Sequence, residues 1–377
     1  MKIAFLISTL DAGGAQRVAT ILCNHWVAAH EVALLTFQAP GDPLQFSLDE
    51  RVRYFALDLL DSSKGVLGTI GRNIARVTTI RRRLREIAPD VVVCFMTETN
   101  VVGTLAARWA GVPVIISERI HPAHHPLPLV HRLTRLVVYR MANALVVQTQ
   151  NIAEWYQRRT GLVPVRIANP VELTPAPLRP RERNAGTGCK IVSVGRLDMQ
   201  KGFDVLINAF HRVAADRPGW SLTIYGEGPL RIDLETQVET LGLHGRVRLP
   251  GITRDAREQL RTADLYVHPA RYEGFPNVVA EALAEGLCVV ATDCPGASAE
   301  LLQYGRYGIL ALPEDPDSLA QAMARAMDDP VQRKHLANQA RDALHGLDVD
   351  TIAASWLSLF ENVVSQSRNK RNSMASR

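Results

Sequence analysis

The chain has 377 residues, of which 47% are hydrophobic and 21% charged. That composition suits a soluble globular protein long enough for two cores and excludes a wholly disordered one. The net charge of +5 sits in the first half, where residues 1–170 hold 19 Lys and Arg against 12 Asp and Glu, leaving 24 against 26 for the rest. No apolar run approaches the roughly 18 residues that cross a bilayer. The basic residues lack interleaved aromatics, aromatic content being only 6%, so no nucleic-acid partner is expected.

Residues 2–7 read as a continuous apolar strand; Asp11 follows too soon for a signal peptide. A glycine-bearing turn with Gly13 and Gly14 then leads into an apolar-periodic helix to about Ala29. Glycine there allows close approach of a ligand or a positive φ, although a plain turn explains it equally well. Short apolar runs recur at 32–37, 91–95, 114–117 and 145–148 between helix-like segments. Such runs indicate a parallel sheet buried on both faces. Arg72, Arg76, Arg81, Arg82, Arg83 and Arg85 concentrate charge on one helix, which suits an anionic membrane surface or a phosphate-bearing partner; a solvated helix face is the competing reading. Past the strand at 114–117 stand Glu118, Arg119 and His121, where ligand contacts are usual. His121, His124 and His125 share a proline-interrupted loop without helical spacing, which argues against a metal site. The five cysteines show no C-x-x-C spacing and read as reduced, buried thiols of a cytoplasmic protein.

A proline-rich stretch, 169–188, marks a linker after a first domain, 1–168. A second strand–helix series fills 189–350, with strands at 190–195, 222–225, 246–249 and 265–268 and helices at 203–215 and 230–241. Two α/β halves of this kind suggest two doubly wound domains facing a cleft. Arg196 and Lys201 follow a strand and suit a diphosphate, one as a planar fork of donors and the other as a compact charge. Tyr225 to Pro229 adds a strand end with Gly226. Glu273 and Glu281 flank Pro276, which fits a first helical position, so the amides from Gly274 through Phe275, Pro276 and Asn277 to Val278 open a helix N-terminus that suits phosphate or hydroxyls. Beyond 313 the chain turns helical, at 316–327, 330–345 and 351–366. The last of these carries Ile352, Trp356, Leu359 and Phe360 on one face, which packs on the first domain, while 367–377 reads as a disordered tail.

In order along the chain, the Gly13 and Gly14 loop, Gly195 to Gly202, Gly226 to Pro229 and the Glu273…Glu281 pair resemble glycosyltransferase family 4, retaining nucleotide-sugar enzymes of GT-B fold with two Rossmann-like domains. The resemblance implies that Arg196 and Lys201 bind the donor diphosphate and that Glu281 holds the ribose. It implies that Glu273 meets the transferred sugar and that Leu249 and Pro250 sit by the nucleobase. It further implies a first domain closing over the diphosphate through Gly13 and Gly14. Where many members carry a histidine, this chain has Glu118 and Arg119, with His121 slightly later, and any of the three could meet the acceptor. Their wording is similar to bacterial members that extend undecaprenyl-diphosphate-linked or surface glycans. The implied reaction is sugar transfer from a nucleotide-diphosphate sugar, UDP-sugar by family habit, onto a lipid-linked or polysaccharide acceptor, with no metal or cofactor and a cytoplasmic or membrane-peripheral location. A nucleotide-sugar epimerase or phosphorylase of the same fold, and a non-catalytic binding protein, are the alternatives.

Overall fold

The computed structural model describes residues 1–11, 13–60, 66–124, 129–173, 188–253, 255–295 and 297–375. These divide into two compact units, one of Met1–Pro170 with Val349–Arg377 and one of Val171–Asp348. Most of the proline-rich linker, and His125, lie outside the described residues.

The first unit is built on strands β1 (Lys2–Leu6), β2 (Glu31–Thr36), β3 (Arg53–Ala56), β4 (Val91–Phe95), β5 (Val114–Ser117), β6 (Ala144–Val147) and β7 (Val165–Arg166). They run in the order β3-β2-β1-β4-β5-β6-β7, all parallel. The central strands are buried along almost their whole length, as sheets covered on both faces require. Helices α1 (Gly14–Trp26), α2 (Val66–Ile87), α3 (Thr97–Ala110), α4 (Leu129–Tyr139) and α5 (Gln150–Thr160) connect them. Gly13 caps α1 in extended backbone, φ −176°. A positive φ is therefore not the reason for glycine at this turn.

The terminal helix, Val349–Ala375, packs on this unit. Its Trp356 and Phe360 rings meet Trp26 edge-on at 6.4 and 5.1 Å, and Trp26 Nε1 donates to the Ala353 carbonyl at 3.4 Å. The helix continues through the segment read from sequence as a disordered tail. Arg368 pairs with Asp90 at 3.2 Å, and Arg371 donates to the Gly111 carbonyl. Cations aimed at partners on the first unit replace the missing apolar periodicity.

The second unit carries β8 (Cys189–Val194), β9 (Trp220–Tyr225), β10 (Val247–Gly251), β11 (Leu265–His268), β12 (Val289–Thr292) and β13 (Ile309–Ala311). Their order is β10-β9-β8-β11-β12-β13, again parallel. Its helices are α6 (Phe203–Ala214), α7 (Arg231–Thr240), α8 (Ala256–Arg261), α9 (Asn277–Ala284), α10 (Ser298–Leu301), α11 (Pro316–Asp328) and α12 (Pro330–Gln339). Ile191, Leu206, Phe210, Leu222, Val267 and Met323 belong to one continuous core between the sheet and its helices. The sheet order makes β8 and β11 neighbours. Their following loops therefore leave the same edge side by side.

Candidate active site

The loop after β8 turns sharply at Met199–Lys201, where Asp198 accepts the Lys201 amide at 3.2 Å. Gly202 follows at φ 66°, and a Cβ there would stand 2.2 Å from the Pro269 carbonyl oxygen. Only glycine lets this loop meet the end of β11 so closely. On the β11 side, the Arg271 guanidinium grips Asp204 through two bonds of 2.9 and 2.7 Å and reaches the Met199 carbonyl at 2.8 Å. The two loops are thus tied by backbone contact and by a bidentate ion pair.

Between them lies the buried Glu273, only 6% exposed. Its Oε1 takes an ion pair from Lys201 and stands 3.3 Å from His268 Nε2, while Gln200 Nε2 faces Oε2 at 3.4 Å. Burial pushes the Glu273 carboxyl up, but the Lys201 charge and the His268 contact outweigh it and bring it down to about 2. Burial likewise pushes His268 down, so its ring is neutral at pH 7. The site therefore holds a compensated charge pair in a protein interior rather than two independent surface groups.

Pro276 is the N-cap of α9, at φ −82° and ψ 78°, not its first helical residue. The helix starts at Asn277, one position later than its proline suggests. Glu281 stands on that helix, one turn beyond its first residues. The first-turn amides of a helix have no intrahelical carbonyl to bond, so this end is suited to an anion or hydroxyl. Arg196 is exposed and pairs with Asp198 at 2.6 Å. Gly226 ends β9 at φ 150°, where a Cβ would lie 1.8 Å from the Gly195 carbonyl oxygen. Leu249 and Pro250 lie at a register break between Arg248 and Gly251 within β10, which runs to Gly251 rather than ending at 249. His268, Gln200 and Asp198 were not singled out by the sequence reading. A histidine closing an otherwise apolar strand five residues before Glu273 was the available signal.

In the first unit, Glu118 is fully buried and accepts from Thr97 Oγ1 at 3.0 Å, Tyr139 at 2.9 Å and Tyr156 at 3.1 Å. A carboxylate so enclosed holds β5, α3, α4 and α5 together and does not present itself to an acceptor. Arg119 lies over the Phe95 ring at 3.5 Å and donates to Asn169 at 2.7 Å. Burial pulls its guanidinium down to about 9, against the Glu118 charge. His121 is buried and bonded to Asn151 at 2.8 Å. Among the described residues no group of three or more His, Cys, Asp or Glu is arranged to hold a metal ion.

The six arginines of α2 do not act as one surface. Arg76 is 3% exposed, pairs with Glu98, donates to the Leu59 carbonyl at 3.1 and 3.0 Å and stacks over Phe37. Arg83 lies over Phe55 and pairs with Glu86 at 2.6 Å. Arg81, Arg82 and Arg85 line a shallow recess with Thr78 and Glu86. No helix among the described residues is long and apolar enough to cross a membrane.

Known proteins resemble this chain in sequence and in fold. The family model for the glycosyl transferase 4-like domain matches residues 13–170, and that for group 1 glycosyl transferases matches 188–329. A Campylobacter jejuni α-1,4-N-acetyl-D-galactosaminyltransferase, which acts on an undecaprenyl-diphosphate-linked GalNAc glycan, is 26% identical over 96% of this chain and 99% of its own length. An exopolysaccharide phosphotransferase of Streptomyces coelicolor is 30% identical over 98% of this chain, which spans 42% of that longer protein. Among solved structures, Anabaena HepE with UDP and glucose superposes with a TM-score of 0.77 at 20% identity, over 96% of this chain and all of that one. The sucrose-phosphate synthase of Thermosynechococcus elongatus gives 0.84 at 18%, covering 97% of this chain and 99% of its own. At those identities the structures speak to the fold, two parallel α/β sheets of GT-B type.

Proposed function

Because this chain belongs to the group 1, GT4-like glycosyltransferases and is a nucleotide-sugar-dependent enzyme of that kind, we propose that it moves a sugar, with retention, from a UDP-sugar to a lipid-linked or polysaccharide acceptor of a bacterial envelope. The observation that carries this reading is the pairing of Lys201 with buried Glu273 beside the N-terminus of α9, at the edge where β8 and β11 end. Breaking an anomeric C–O bond builds charge on the departing diphosphate. Lys201, Arg196 and the α9 amides can meet that charge, one well-placed group being worth about 10²–10³ in rate. Glu273 is kept ionised and so accepts hydrogen bonds from sugar hydroxyls, while Glu281 serves the ribose. Gly226, Leu249 and Pro250 line the nucleotide end.

The Campylobacter relative's undecaprenyl-diphosphate glycan supports a lipid-linked acceptor here. Arg119 and His121 are the acceptor-side candidates that remain once Glu118 is seen to be enclosed. The recess of Arg81, Arg82 and Arg85 is the part of α2 that suits an anionic membrane surface. A thermal-shift panel of nucleoside-diphosphate sugars tests the donor, since a ligand that binds only the folded state raises the melting temperature. The expected result is a rise with a UDP-sugar that Lys201→Met abolishes. A panel that shifts nothing, or an equal shift in the variant, would overturn the assignment of this site.

A further inference from the structure

Glu273 is held by two nitrogens on the same oxygen, and they differ in kind. Lys201 is one-fifth exposed, whereas His268 is 2% exposed and stands at the end of a core strand. On the reading above, the ammonium is the group that a donor diphosphate competes for. The histidine cannot be drawn away by a ligand. Its ring is fixed from behind by Tyr266, two residues earlier on the same face of β11, whose hydroxyl lies 3.2 Å from Nδ1 and whose ring stacks over it at 6.1 Å.

The proton positions follow by elimination. Glu273 is ionised, so it can only accept, and a bare Nε2 lone pair 3.3 Å from it would be repelled. Nε2 therefore carries hydrogen. A second proton on Nδ1 is opposed by burial and by Lys201. Nδ1 is then an acceptor, and Tyr266 must donate to it. Burial, the first cause, holds the Tyr266 hydroxyl well above its usual range, and the Val194 backbone amide faces the same oxygen. The hydroxyl thus keeps its proton and points it at the ring. Tyr266 thus holds the ring through Nδ1, and Nε2 on its far side stands 3.3 Å from the Glu273 carboxylate, its nearest acidic neighbour.

We propose that His268, as its Nε2–H tautomer locked by Tyr266, is a positioning residue that keeps the Glu273 carboxylate aimed at the donor sugar while Lys201 turns to the diphosphate. This rests on the reading of Glu273 as the donor-sugar contact. Geometry of this kind acts on the reacting complex rather than on binding. Leucine at 268 removes the donor, and glutamine restores an N–H at a similar reach.

The test measures transfer by His268→Leu, His268→Gln and Glu273→Gln, with nucleoside-diphosphate affinity measured separately. His268→Leu is expected to lower kcat at least tenfold, with donor KM and UDP affinity within about twofold. His268→Gln should recover to within about threefold of wild type. In the Glu273→Gln background, His268→Leu should add less than twofold, because it acts through the lost carboxylate. An unchanged kcat in His268→Leu, or effects that multiply in the double variant, would overturn the proposal. Nitrogen-15 spectra of the histidine rings, assigned by the signal lost in His268→Gln, decide the tautomer without any turnover. A protonated Nδ1 at pH 7 overturns the proposal whatever the donor proves to be, whereas a wild type inert to every nucleotide sugar would sink the donor reading and leave the tautomer result standing.

Discussion

Replacing Lys201 by methionine removes the full cation that pairs with the nearly inaccessible Glu273 carboxylate. The fall of Glu273 from 4.5 to about 2 corresponds to a preference for the ionised form on the order of 3 kcal/mol. Breaking a buried pair by deleting one partner typically costs about 3–5 kcal/mol, and the two figures agree. In the wild type this contribution is complete above pH 4.5 and is lost as the pH falls from there toward 2, because the depressed carboxyl lies below its unfolded value. In Lys201→Met, burial is no longer offset by the lysine, so Glu273 takes up its proton at higher pH. The stability gap between the two proteins should therefore be widest at pH 7 and narrow by about 1 kcal/mol or more by pH 4. Hydrogen exchange of peptides covering Leu265–His268 reads the opening of this unit on its own, which matters because two compact units need not unfold as one. Lys201→Met with Glu273→Gln, which removes both charges, should regain most of the loss. A cost below about 1 kcal/mol in the single variant, or no recovery in the double, would refute the buried-pair reasoning.

Gly226→Ala places a Cβ 1.8 Å from the Gly195 carbonyl oxygen at φ 150°, so the loop that carries Arg196 must shift. Nucleotide-sugar affinity measured by calorimetry should fall at least tenfold, alongside a stability loss of about 1–3 kcal/mol. Transfer should persist in excess EDTA, because Lys201 and Arg196 supply the positive charge near the departing diphosphate; loss with chelator and recovery with a divalent ion in a radiolabel transfer assay would contradict this. Arg76→Ala should destabilise the first unit by about 1–3 kcal/mol, since it empties the space over Phe37 and takes the guanidinium donors from the Leu59 carbonyl, while the half-exposed Glu98 is left to solvent. Arg82→Ala should leave melting unchanged but weaken co-sedimentation with anionic liposomes.

The parallel sheets were legible because buried strands are written as unbroken apolar runs. The boundaries of β11 match the reading residue for residue. Four strands were not read: β3 and β7 are edge strands, β3 only half-buried and β7 two exposed residues long, so their pairing comes from a neighbour rather than from their own pattern, whereas β12 is fully buried and was missed with the short β13 although its Val289–Thr292 run is apolar. The same distinction divides the candidate site residues. Lys201 and Glu273 could be found singly because each follows a strand end. Their pairing could not, since it spans 72 positions and depends on β8 lying beside β11. Glu118 misled for a related reason, because a charge past a strand end looks the same in sequence whether its side chain turns toward solvent or back among Tyr139, Tyr156 and Thr97. What decides that direction is the presence of donors brought from three other elements. A carboxylate finds its place from whatever the sheet order puts opposite it: three neutral hydroxyls make Glu118 a brace, whereas Glu273 faces one lysine and, on the function proposed above, is free to act once a diphosphate draws that lysine away.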